Sequence, residues 1–360
     1  MLKTMPWQTP QAYWMQEGPD QDVILSTRIR LARNISGLPY PNFQTEENAQ
    51  TLLQEVEALI PLLEERTANR WQLFRLSQLN EAQKSILVDK HLMSPNLNER
   101  TSQAGLLLRE DEAVSIMVNE EDHLRIQVLF SGLQLDAAWQ LANTLDDLLE
   151  SRLDFAFSDR YGYKTACPTN AGTGLRASVM VHLPALAMSQ KIAPLINGIH
   201  QLGMVARGIY GEGTEAVGDV YQISNQISMG KPEKEILAGL QAIVKQLVSE
   251  ERQARRLLAE RIPLQLRDKV GRTLGAVQNS YLMQSQEAVK RWSDLRLGVE
   301  LNLLEYVSYD QLNRLMVQLQ GGWLNQVASA TENLTPEQRD VLRAKLLREE
   351  MQEAVMRNMK

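Results

Sequence analysis

Residue types that serve in catalytic and binding sites are concentrated in the segment CPTNAGTGLRA at residues 167–177. It holds Cys167, the single cysteine of the chain, and the proline that follows favours extended or turn geometry there. Gly172 and Gly174 permit positive φ or close approach of the backbone to a ligand. The apolar run 178–183 predicts a strand, so we expect Cys167 and Arg176 on a loop at a strand edge. A buried cysteine beside a glycine turn would give the same residues, and this stretch alone does not separate the two.

Two other segments place charges in patterns that suit ionic ligands. In STRIR at residues 26–30, Arg28 and Arg30 alternate, so both side chains lie on one face of an extended strand. A solvated strand face is the simpler interpretation. The segment NEEDHLR at residues 119–125 carries three consecutive acids in a predicted hairpin. Such a run is most often a solvated turn, and the alternative is a carboxylate site for a metal or a guanidinium.

Further candidates lie at element ends. His91 ends a predicted helix and is either a helix-end cation, which local signals favour, or a ligand-facing residue. RGIYGE at residues 207–212 predicts a strand that runs into a glycine loop. Arg339 and Arg343 fall one turn apart in the last predicted helix with Asp340 between them. They form either an exposed ion-paired face or an anion pocket, since paired guanidinium groups suit phosphate.

Composition describes an ordinary globular protein of more than one domain, with 360 residues, 44% hydrophobic and 23% charged. A net charge of −6 gives no reason to expect nucleic-acid binding. One cysteine excludes an internal disulfide and a cysteine-based zinc site, and suits a reducing cytosol. We find no apolar signal core and no run near the roughly 18 apolar residues of a membrane span, so a cytoplasmic protein is expected.

These charged segments need a sheet to hold them. Periodicity predicts strands at 23–33, 105–109, 113–118, 124–130, 155–157, 178–183, 204–213 and 219–228, and helices at 46–63, 81–91, 135–153, 185–202 and 233–254. The short connections between successive strands favour antiparallel pairing. From Pro232 the pattern turns helical, and we place a domain boundary near 254–260. One later helix begins with Ser308 and Gln311 and ends at Gly321-Gly322, and the last begins at Thr335-Pro336 with Gln338.

The motifs resemble those of one known family, the phosphagen (guanidino) kinases. STRIR, NEEDHLR, CPTNAGTGLRA and RGIYGE match in order and spacing, over about residues 20–255. The resemblance implies an α+β fold, with a mostly antiparallel sheet flanked by helices in a catalytic domain at residues 1–256. A helical domain at residues 257–360 follows. Ala171 departs from the family pattern, which usually has a larger aliphatic residue there, and the smaller side chain is expected to enlarge the pocket slightly.

Within that family the chain is most similar to the bacterial protein arginine kinases of the McsB type. The segment RDVLRA at residues 339–344 matches their phosphoarginine-binding motif RDxxRA. The resemblance therefore implies phosphoarginine binding by Arg339, Asp340, Arg343 and Ala344, and dimerisation through the helical domain. The helical N-terminal domain of creatine and arginine kinases has no counterpart before the motifs, which should leave the acceptor side of the cleft open.

The resemblance also assigns roles to individual residues. It implies ATP and Mg²⁺ as cofactors, with the metal held through ATP and not by side chains. Glu121 is the expected base, Glu212 orients the acceptor with it, and Cys167 is an electrostatic partner that forms no covalent intermediate. His91 is expected near the base or ribose of the nucleotide. The implied ATP-binding residues are Ser26, Thr27, Arg28, Ile29, Arg30, His91, Arg125, Arg176, Ala177, Ser178, Val179, Met180, Arg207, Gly208, Ile209, Tyr210, Gly211 and Glu212.

The function implied is phosphorylation of arginine side chains in proteins, which marks them for a Clp protease and inactivates a CtsR-like stress-gene repressor. Expected partners are protein substrates with exposed arginine, a second copy of the chain in a homodimer or higher oligomer, and a McsA-like zinc-binding activator. Nucleic acid and membranes are not expected partners. Two alternatives stay open, a kinase of free arginine or another small guanidino compound, and an inactive scaffold that binds phosphoarginine. The intact arginines and glutamates argue against the scaffold.

Overall fold

The computed structural model describes residues 2, 4–99, 103–209, 216–328 and 334–358 of the chain. Within these ranges the strands are β1 Ile24–Arg33, β2 Trp71–Arg75, β3 Gly105–Arg109, β4 Val114–Val118, β5 Leu124–Ser131, β6 Phe157–Ser158, β7 Gly162–Tyr163, β8 Leu175–His182, β9 Met204–Gly208, β10 Val220–Asn225, β11 Leu304–Glu305 and β12 Val355–Met356. The helices are α1 Glu46–Ala58, α2 Ile60–Thr67, α3 Glu81–Asp89, α4 Pro95–Asn98, α5 Leu135–Glu150, α6 Pro184–Met188, α7 Ile192–Gln201, α8 Glu233–Arg261, α9 Pro263–Asn279, α10 Ser285–Glu300, α11 Tyr309–Gln318, α12 Gly321–Val327 and α13 Pro336–Glu350.

One large sheet organises the first two thirds of the chain. Its described strands run in the order β2-β3-β4-β5-β1-β8-β10-β9, and each neighbouring pair is antiparallel. The predicted mostly antiparallel sheet with flanking helices is therefore confirmed. The long strand β1 lies between β5 and β8, so residues on β1 reach both neighbours across the centre of the sheet.

One face of this sheet is hydrophobic and forms the main core. Alternate residues such as Ile29, Leu31, Ile126 and Val179 are fully buried there, because side chains in a strand point to opposite faces in turn. Helices α1, α5 and α8 cover this face with their own apolar residues. Each large aliphatic side chain buried in this way contributes about 1.5–3 kcal/mol. The opposite face carries polar side chains together with apolar residues such as Leu129 and Met117, which belong to two other hydrophobic clusters.

Several predicted elements differ from the structure in extent. The predicted helix 46–63 is two helices that meet at Leu59, since Pro61 is tolerated in the first turn of α2 but would break a continuous helix. The predicted helix 185–202 is interrupted at Gln190, whose φ of 56° ends α6. Gly321 and Gly322 do not end a helix but begin α12, after α11 has ended at Gln318.

The helical part that follows the sheet is confirmed, with the small ribbon β11-β12 added to it. Helix α8 continues past the predicted boundary at residues 254–260, and only Ile262 separates it from α9. The boundary between residues 256 and 257 remains a prediction. The two capping signals are confirmed: Ser308 accepts from Gln311 N, and Thr335 and Gln338 form a capping box.

A second core joins the two ends of the chain. Trp14 and Met15 are fully buried among side chains that include Trp292, Leu312 and Met316. The Asn313 side-chain amide donates to the carbonyl of Met15 at 2.9 Å. The N-terminal segment is therefore packed against the C-terminal helices.

Among the helices of the described ranges, none combines the length and the apolar character that a membrane crossing requires.

Candidate active site

The predicted arginines share the polar face of the sheet. Arg28 and Arg30 lie two residues apart on β1, and Arg30 is directly opposite Arg176 of β8. Arg125 of β5 lies opposite Ala32, which is on the same face of β1. Arg207 of β9 lies opposite Gln222 of β10, which continues the row. Five arginines from four strands thus point to one side, and the solvated-face interpretation of Arg28 and Arg30 is replaced by a shared cleft.

The cleft on this face has a volume of about 620 Å³. Its walls come from β1, β5, β8, β9 and β10, from the end of α3, and from the loop that carries the cysteine. The sequence-predicted residues that line it are Arg28, Arg30, His91, Glu121, Arg125, Cys167, Arg176, Arg207 and Ile209. Cations for a polyphosphate and an acid for a cationic acceptor therefore meet in one cavity.

The arginines carry more positive charge than the protein around them compensates. Burial, and then the charges of Arg176 and Arg125, lower the pKa of Arg28 to about 10. Burial and the neighbouring arginines also lower the pKa of Arg30 well below its ordinary value, and Glu120 opposes this shift. In the described part of the chain, the Nε atoms of Arg30 and Arg176 are buried without a hydrogen-bond partner. Cations and unused donors of this kind fit an anionic ligand such as the phosphates of a nucleotide.

The three acids of NEEDHLR do not form a solvated turn, so that interpretation was wrong. Glu120 and Asp122 are fully buried. Glu120 lies 2.5 Å from Arg125 Nη1 and accepts from Ser94 Oγ at 2.6 Å, and Glu121 accepts from Arg125 Nη2 at 3.0 Å. Arg125 follows the acids in the strand and provides the buried counter-charge. Glu121 alone is partly exposed, at the wall of the cleft.

Asp122 supports the loop that carries the cysteine. It accepts from Ala166 N and from the Asn34 side chain, both at 2.6 Å, and burial raises its pKa despite these bonds. Cys167, directly after Ala166, is half-buried in the cleft, and its Sγ lies 3.0 Å from Thr169 Oγ1 in the short 3₁₀ turn Pro168–Asn170. The acid motif and the cysteine motif are therefore joined by a direct contact.

The two glycines of this loop serve packing within the protein. Gly172 has a φ of 102°, and a Cβ there would lie 2.8 Å from Met229 Cα. Gly174 has a φ of 68°, and a Cβ there would lie 2.6 Å from the carbonyl oxygen of Ala32. The predicted positive φ is thus confirmed at both glycines, and close approach to a ligand stays a prediction for this loop, in which Gly174 lines the cleft. Arg176 was also misplaced by the sequence, because it lies within β8, an interior strand of the sheet, and not on a loop.

His91 is not a helix-end cation. It follows α3 with a φ of 60° and lines the cleft. Burial, and then the charge of Arg28, lower its pKa to about 4, so the ring is neutral at neutral pH. Its ring centroid lies 5.5 Å from that of Trp14, and its carbonyl accepts from Gln127 Nε2 at 2.8 Å. A neutral, held imidazole of this kind can donate or accept one hydrogen bond within the cleft.

Some predicted nucleotide contacts do not face the cleft. Ile29, Ala177 and Val179 belong to the main core on the opposite face of the sheet. Thr27 is also fully buried, and its hydroxyl donates to Gly132 O. Side-chain contact of these four residues with a ligand in the cleft is excluded by strand alternation. Ser26, Ser178 and Met180 line a small crevice beside Arg28, and Gly208 ends β9. Tyr210, Gly211 and Glu212 lie outside the described residues.

Sequence reasoning missed several residues of the cleft. Gln127 lies two residues after Arg125, and Gln222 lies on the polar face of β10, so strand alternation could have revealed both. Asp89 and Gln320 also line the cleft, although they come from α3 and from the segment before α12. The Gly322 backbone amide donates to Asp89 at 3.2 Å, and burial raises the pKa of Asp89 to about 7. No local pattern indicates this contact between distant helices.

The predicted phosphoarginine residues lie on α13, apart from the cleft. Arg343 is buried and donates to the carbonyl oxygens of Leu319 and Met283, and pairs with Asp340 at 2.6 Å. Arg339 donates to the carbonyl oxygen of Leu334 at 3.0 Å. The exposed ion-paired face expected from sequence is wrong for Arg343.

Comparison with known proteins identifies the family. Residues 54–254 match the family model described as the C-terminal catalytic domain of ATP:guanido phosphotransferases. A protein-arginine kinase of Geobacillus thermodenitrificans is 47% identical over 352 residues, which cover 98% of this chain and 96% of the relative. The chain belongs to the ATP:guanido phosphotransferase family. The enzyme is therefore a phosphotransferase with ATP as its phosphoryl donor, as the resemblance of the motifs implied.

Further similarities specify the branch of this family. Residues 263–360 of the enzyme match the family model of the protein-arginine kinase McsB C-terminal domain. A protein-arginine kinase of Symbiobacterium thermophilum is 48% identical over 340 residues, 94% of this chain and 96% of the relative. Among solved structures, a lombricine kinase has a TM-score of 0.55 and 27% identity, over 67% of this chain and 69% of that one. The match of the C-terminal region places the enzyme with the protein-arginine kinases.

Proposed function

We propose that the enzyme transfers the γ-phosphoryl group of ATP to a guanidino nitrogen of arginine side chains in proteins. The observation that carries the proposal is the cleft in which five sheet arginines face Glu121 and Cys167. The similarity of the whole chain to protein-arginine kinases supports a protein-borne acceptor. The donor side and the acceptor side of the reaction are then two walls of one cavity.

The arginine row acts on the donor. Arg28, Arg30, Arg125, Arg176 and Arg207 would bind the phosphate oxygens, and each guanidinium can donate two parallel hydrogen bonds in a fixed geometry. Phosphoryl transfer depends mainly on alignment and on neutralisation of charge. His91 would contact the base or ribose as a neutral imidazole. Mg²⁺, when bound through the phosphates of ATP, would neutralise further charge, and within the described ranges no cluster of acids, histidines and cysteine forms a separate metal site.

The acid wall acts on the acceptor. A guanidinium has a pKa above about 12 and is a poor nucleophile until it loses a proton. Glu121 is the proposed base, with Glu212 orienting the same group and Cys167 as an electrostatic partner that forms no covalent bond. A nitrogen–phosphorus bond forms as the bond from the γ-phosphorus to the bridging oxygen breaks. ADP leaves with the electron pair, and the guanidino proton goes to Glu121.

Arg125 links the two walls. It contacts the buried Glu120 and the partly exposed Glu121 at the same time. When Arg125 turns to a phosphate, Glu120 can remain its counter-ion while Glu121 becomes available to the acceptor. The ion pair between Arg125 and Glu121 is weak, because ion pairs open to solvent contribute about 0–1 kcal/mol.

The helical C-terminal part is proposed to bind phosphoarginine and to dimerise the enzyme. Arg339, Asp340, Arg343 and Ala344 carry the proposed site. Substitution of Arg339 tests the site with less effect on the fold, since Arg343 also donates hydrogen bonds to the carbonyl oxygens of Leu319 and Met283. Arg339→Ala should weaken binding of a phosphoarginine analogue and leave thermal unfolding unchanged. Equal affinity of this variant and the wild type would exclude a role for Arg339.

The cellular setting is proposed from the same similarity. The enzyme would act in the cytoplasm, with a McsA-like zinc-binding activator, on proteins destined for a Clp protease and on a CtsR-like repressor. Homodimers or higher oligomers are expected. Nucleic acid and membranes are not among its proposed partners.

Mass spectrometry of an unfolded model protein after incubation with Mg-ATP tests the activity, under conditions that preserve phosphoramidates. Phosphate on arginine is the expected result. A parallel incubation with free arginine tests the alternative small-molecule kinase. Phosphorylation of free arginine with an unmodified protein would reject the protein acceptor. Absence of ATP consumption in both reactions, with the zinc-binding activator present, would favour the inactive scaffold.

A further inference from the structure

Arg28 is held by uncharged side chains in a cleft whose other cations repel it. Its Nη2 donates to Gln222 Oε1 at 2.5 Å, and its Nε donates to Ser178 Oγ at 3.4 Å. Among the residues that the structure describes, no carboxylate forms an ion pair with it. The charges that depress its pKa are those of Arg176 and Arg125. Arg28 therefore keeps a positive charge that its hydrogen-bond partners do not offset.

Other arginines of the same sheet are held differently. Arg33, on the opposite face of β1, pairs with the buried Asp146 at 2.6 Å. Arg125 contacts Glu120 and Glu121. A carboxylate partner thus accompanies Arg33, which supports the fold, and Arg125, which holds the acid motif in addition to its proposed role at the phosphates. Arg28 is instead held by the neutral amide of Gln222, so this partner has a role other than compensation of charge.

We propose that Gln222 is a positioning residue, which orients Arg28 toward the phosphates of ATP without compensating its charge. Gln222 lies on β10, opposite Met180 and Arg207, and lines the cleft. Its amide oxygen accepts one hydrogen bond and fixes the direction of the guanidinium. A carboxylate at this point would hold Arg28 more strongly, and phosphate would then have to displace it. This inference rests on the proposed ATP site and adds a residue to it.

Two substitutions separate orientation from charge. Gln222→Glu keeps the size and the acceptor but adds a negative charge beside Arg28. Gln222→Met keeps the length and removes the acceptor, so Arg28 loses its orientation but not its charge. We expect the Kd for Mg-ATP to rise about three- to tenfold in the methionine variant and about ten- to a hundredfold in the glutamate variant.

Thermal stability without nucleotide should follow the opposite order. A glutamate would give Arg28 a counter-ion among repelling cations, so Gln222→Glu should unfold at or above the temperature of the wild type. Gln222→Met leaves a partly buried donor unpaired and should unfold below it. If Gln222 had only a structural role, the variant with the higher unfolding temperature would also bind Mg-ATP more tightly, because both properties would depend on how well Arg28 is held.

The experiment is isothermal titration of Mg-ATP into the full chain and its variants at neutral pH, with thermal unfolding of the same samples. Gln226→Glu is the matched control, because it adds the same charge just after β10 on an exposed residue outside the cleft. Its Kd should stay within about twofold of the wild type. Mg-ATP binding by Gln222→Glu as tight as by Gln222→Met would overturn the inference, as would a lower unfolding temperature of the glutamate variant. Wild-type protein that fails to bind Mg-ATP would instead refute the proposed ATP site.

Discussion

Glu121 and Glu120 are neighbours with the same chemistry and different surroundings, so replacing each one separates catalysis from stability. The Glu121 side chain is 36% exposed and lies 3.0 Å from Arg125 Nη2. Its ion pair is open to solvent and contributes about 0–1 kcal/mol to the free energy of unfolding. As the proposed base, however, it should contribute about 10²–10⁴-fold to turnover. Glu121→Gln should therefore abolish most of kcat and leave the unfolding temperature nearly unchanged.

Glu120 should behave in the opposite sense. Its side chain is 0% exposed, and it lies 2.5 Å from a nitrogen of Arg125, whose side chain is only 10% exposed. Removing one partner of a buried ion pair costs about 3–5 kcal/mol. The remaining contact of Arg125 with the partly exposed Glu121 compensates the buried charge only weakly. Glu120→Ala should thus lower the free energy of unfolding by an amount of that order.

The assay is steady-state transfer from ATP to a model protein, together with chemical denaturation of the same preparations. Loss of activity in Glu120→Ala should be recovered in part at lower temperature, where the fold is retained. The role of Glu121 as base would be refuted by a Glu121→Gln variant that folds normally and keeps more than about a tenth of kcat, since general base catalysis contributes at least about a hundredfold.

Two further predictions concern the contact between α3 and α12. In Gly322→Ala the new Cβ would lie 2.7 Å from Asp89 Oδ2 and 2.8 Å from Ile86 N, so we expect about 1–3 kcal/mol of destabilisation in denaturant melts. Gly321→Ala is the control and should be neutral, because the atom nearest to its new Cβ is a flexible side-chain carbon of Arg339 at 3.8 Å. Equal free energies of unfolding for the two variants would reject the close contact at Gly322. The pKa of Asp89 is about 7 in the folded chain against 3.8 for an ordinary aspartate, so the folded state binds the extra proton between these values and stability falls as pH rises from about 4 to about 7. Asp89→Asn should gain stability over the wild type across this range. The gain should reach about 1–2 kcal/mol above pH 7, given the partial exposure of the side chain. A difference in unfolding temperature that does not change with pH would show that the raised pKa of Asp89 is not its cause.

Much of the site was accessible from the sequence where a local period decides the geometry. Alternation along β1 places Arg28 and Arg30 on one face, and the structure confirms this. Capping signals correctly located the starts of α11 and α13. The short connections between β3, β4 and β5 correctly indicated antiparallel pairing. In each of these cases, the partners that determine the geometry lie within a few residues in the sequence.

What the sequence did not reveal depends on partners far along the chain. The hydrogen bond between Asp122 and Ala166 N joins residues 44 positions apart in the sequence. The bonds between Gln222 and Arg28 and between Gly322 and Asp89 join residues 194 and 233 positions apart. The burial of Glu120 had the same origin, because a run of acids looks solvated until a buried cation is known to face it. No propensity or periodicity encodes such contacts, since they exist only after the sheet and helices have packed.

The packing of Trp14 against the C-terminal helices has a consequence for synthesis on the ribosome. Asn313, which donates to the carbonyl of Met15, lies 298 residues after it. At about 5–20 residues per second, the ribosome needs about 15–60 s to make that stretch. Trp14 and Met15 thus leave the exit tunnel long before the helices that bury them exist. During this interval the nascent chain presents an uncovered tryptophan, a segment that chaperones would bind and that a chain released before α10 and α11 would continue to expose.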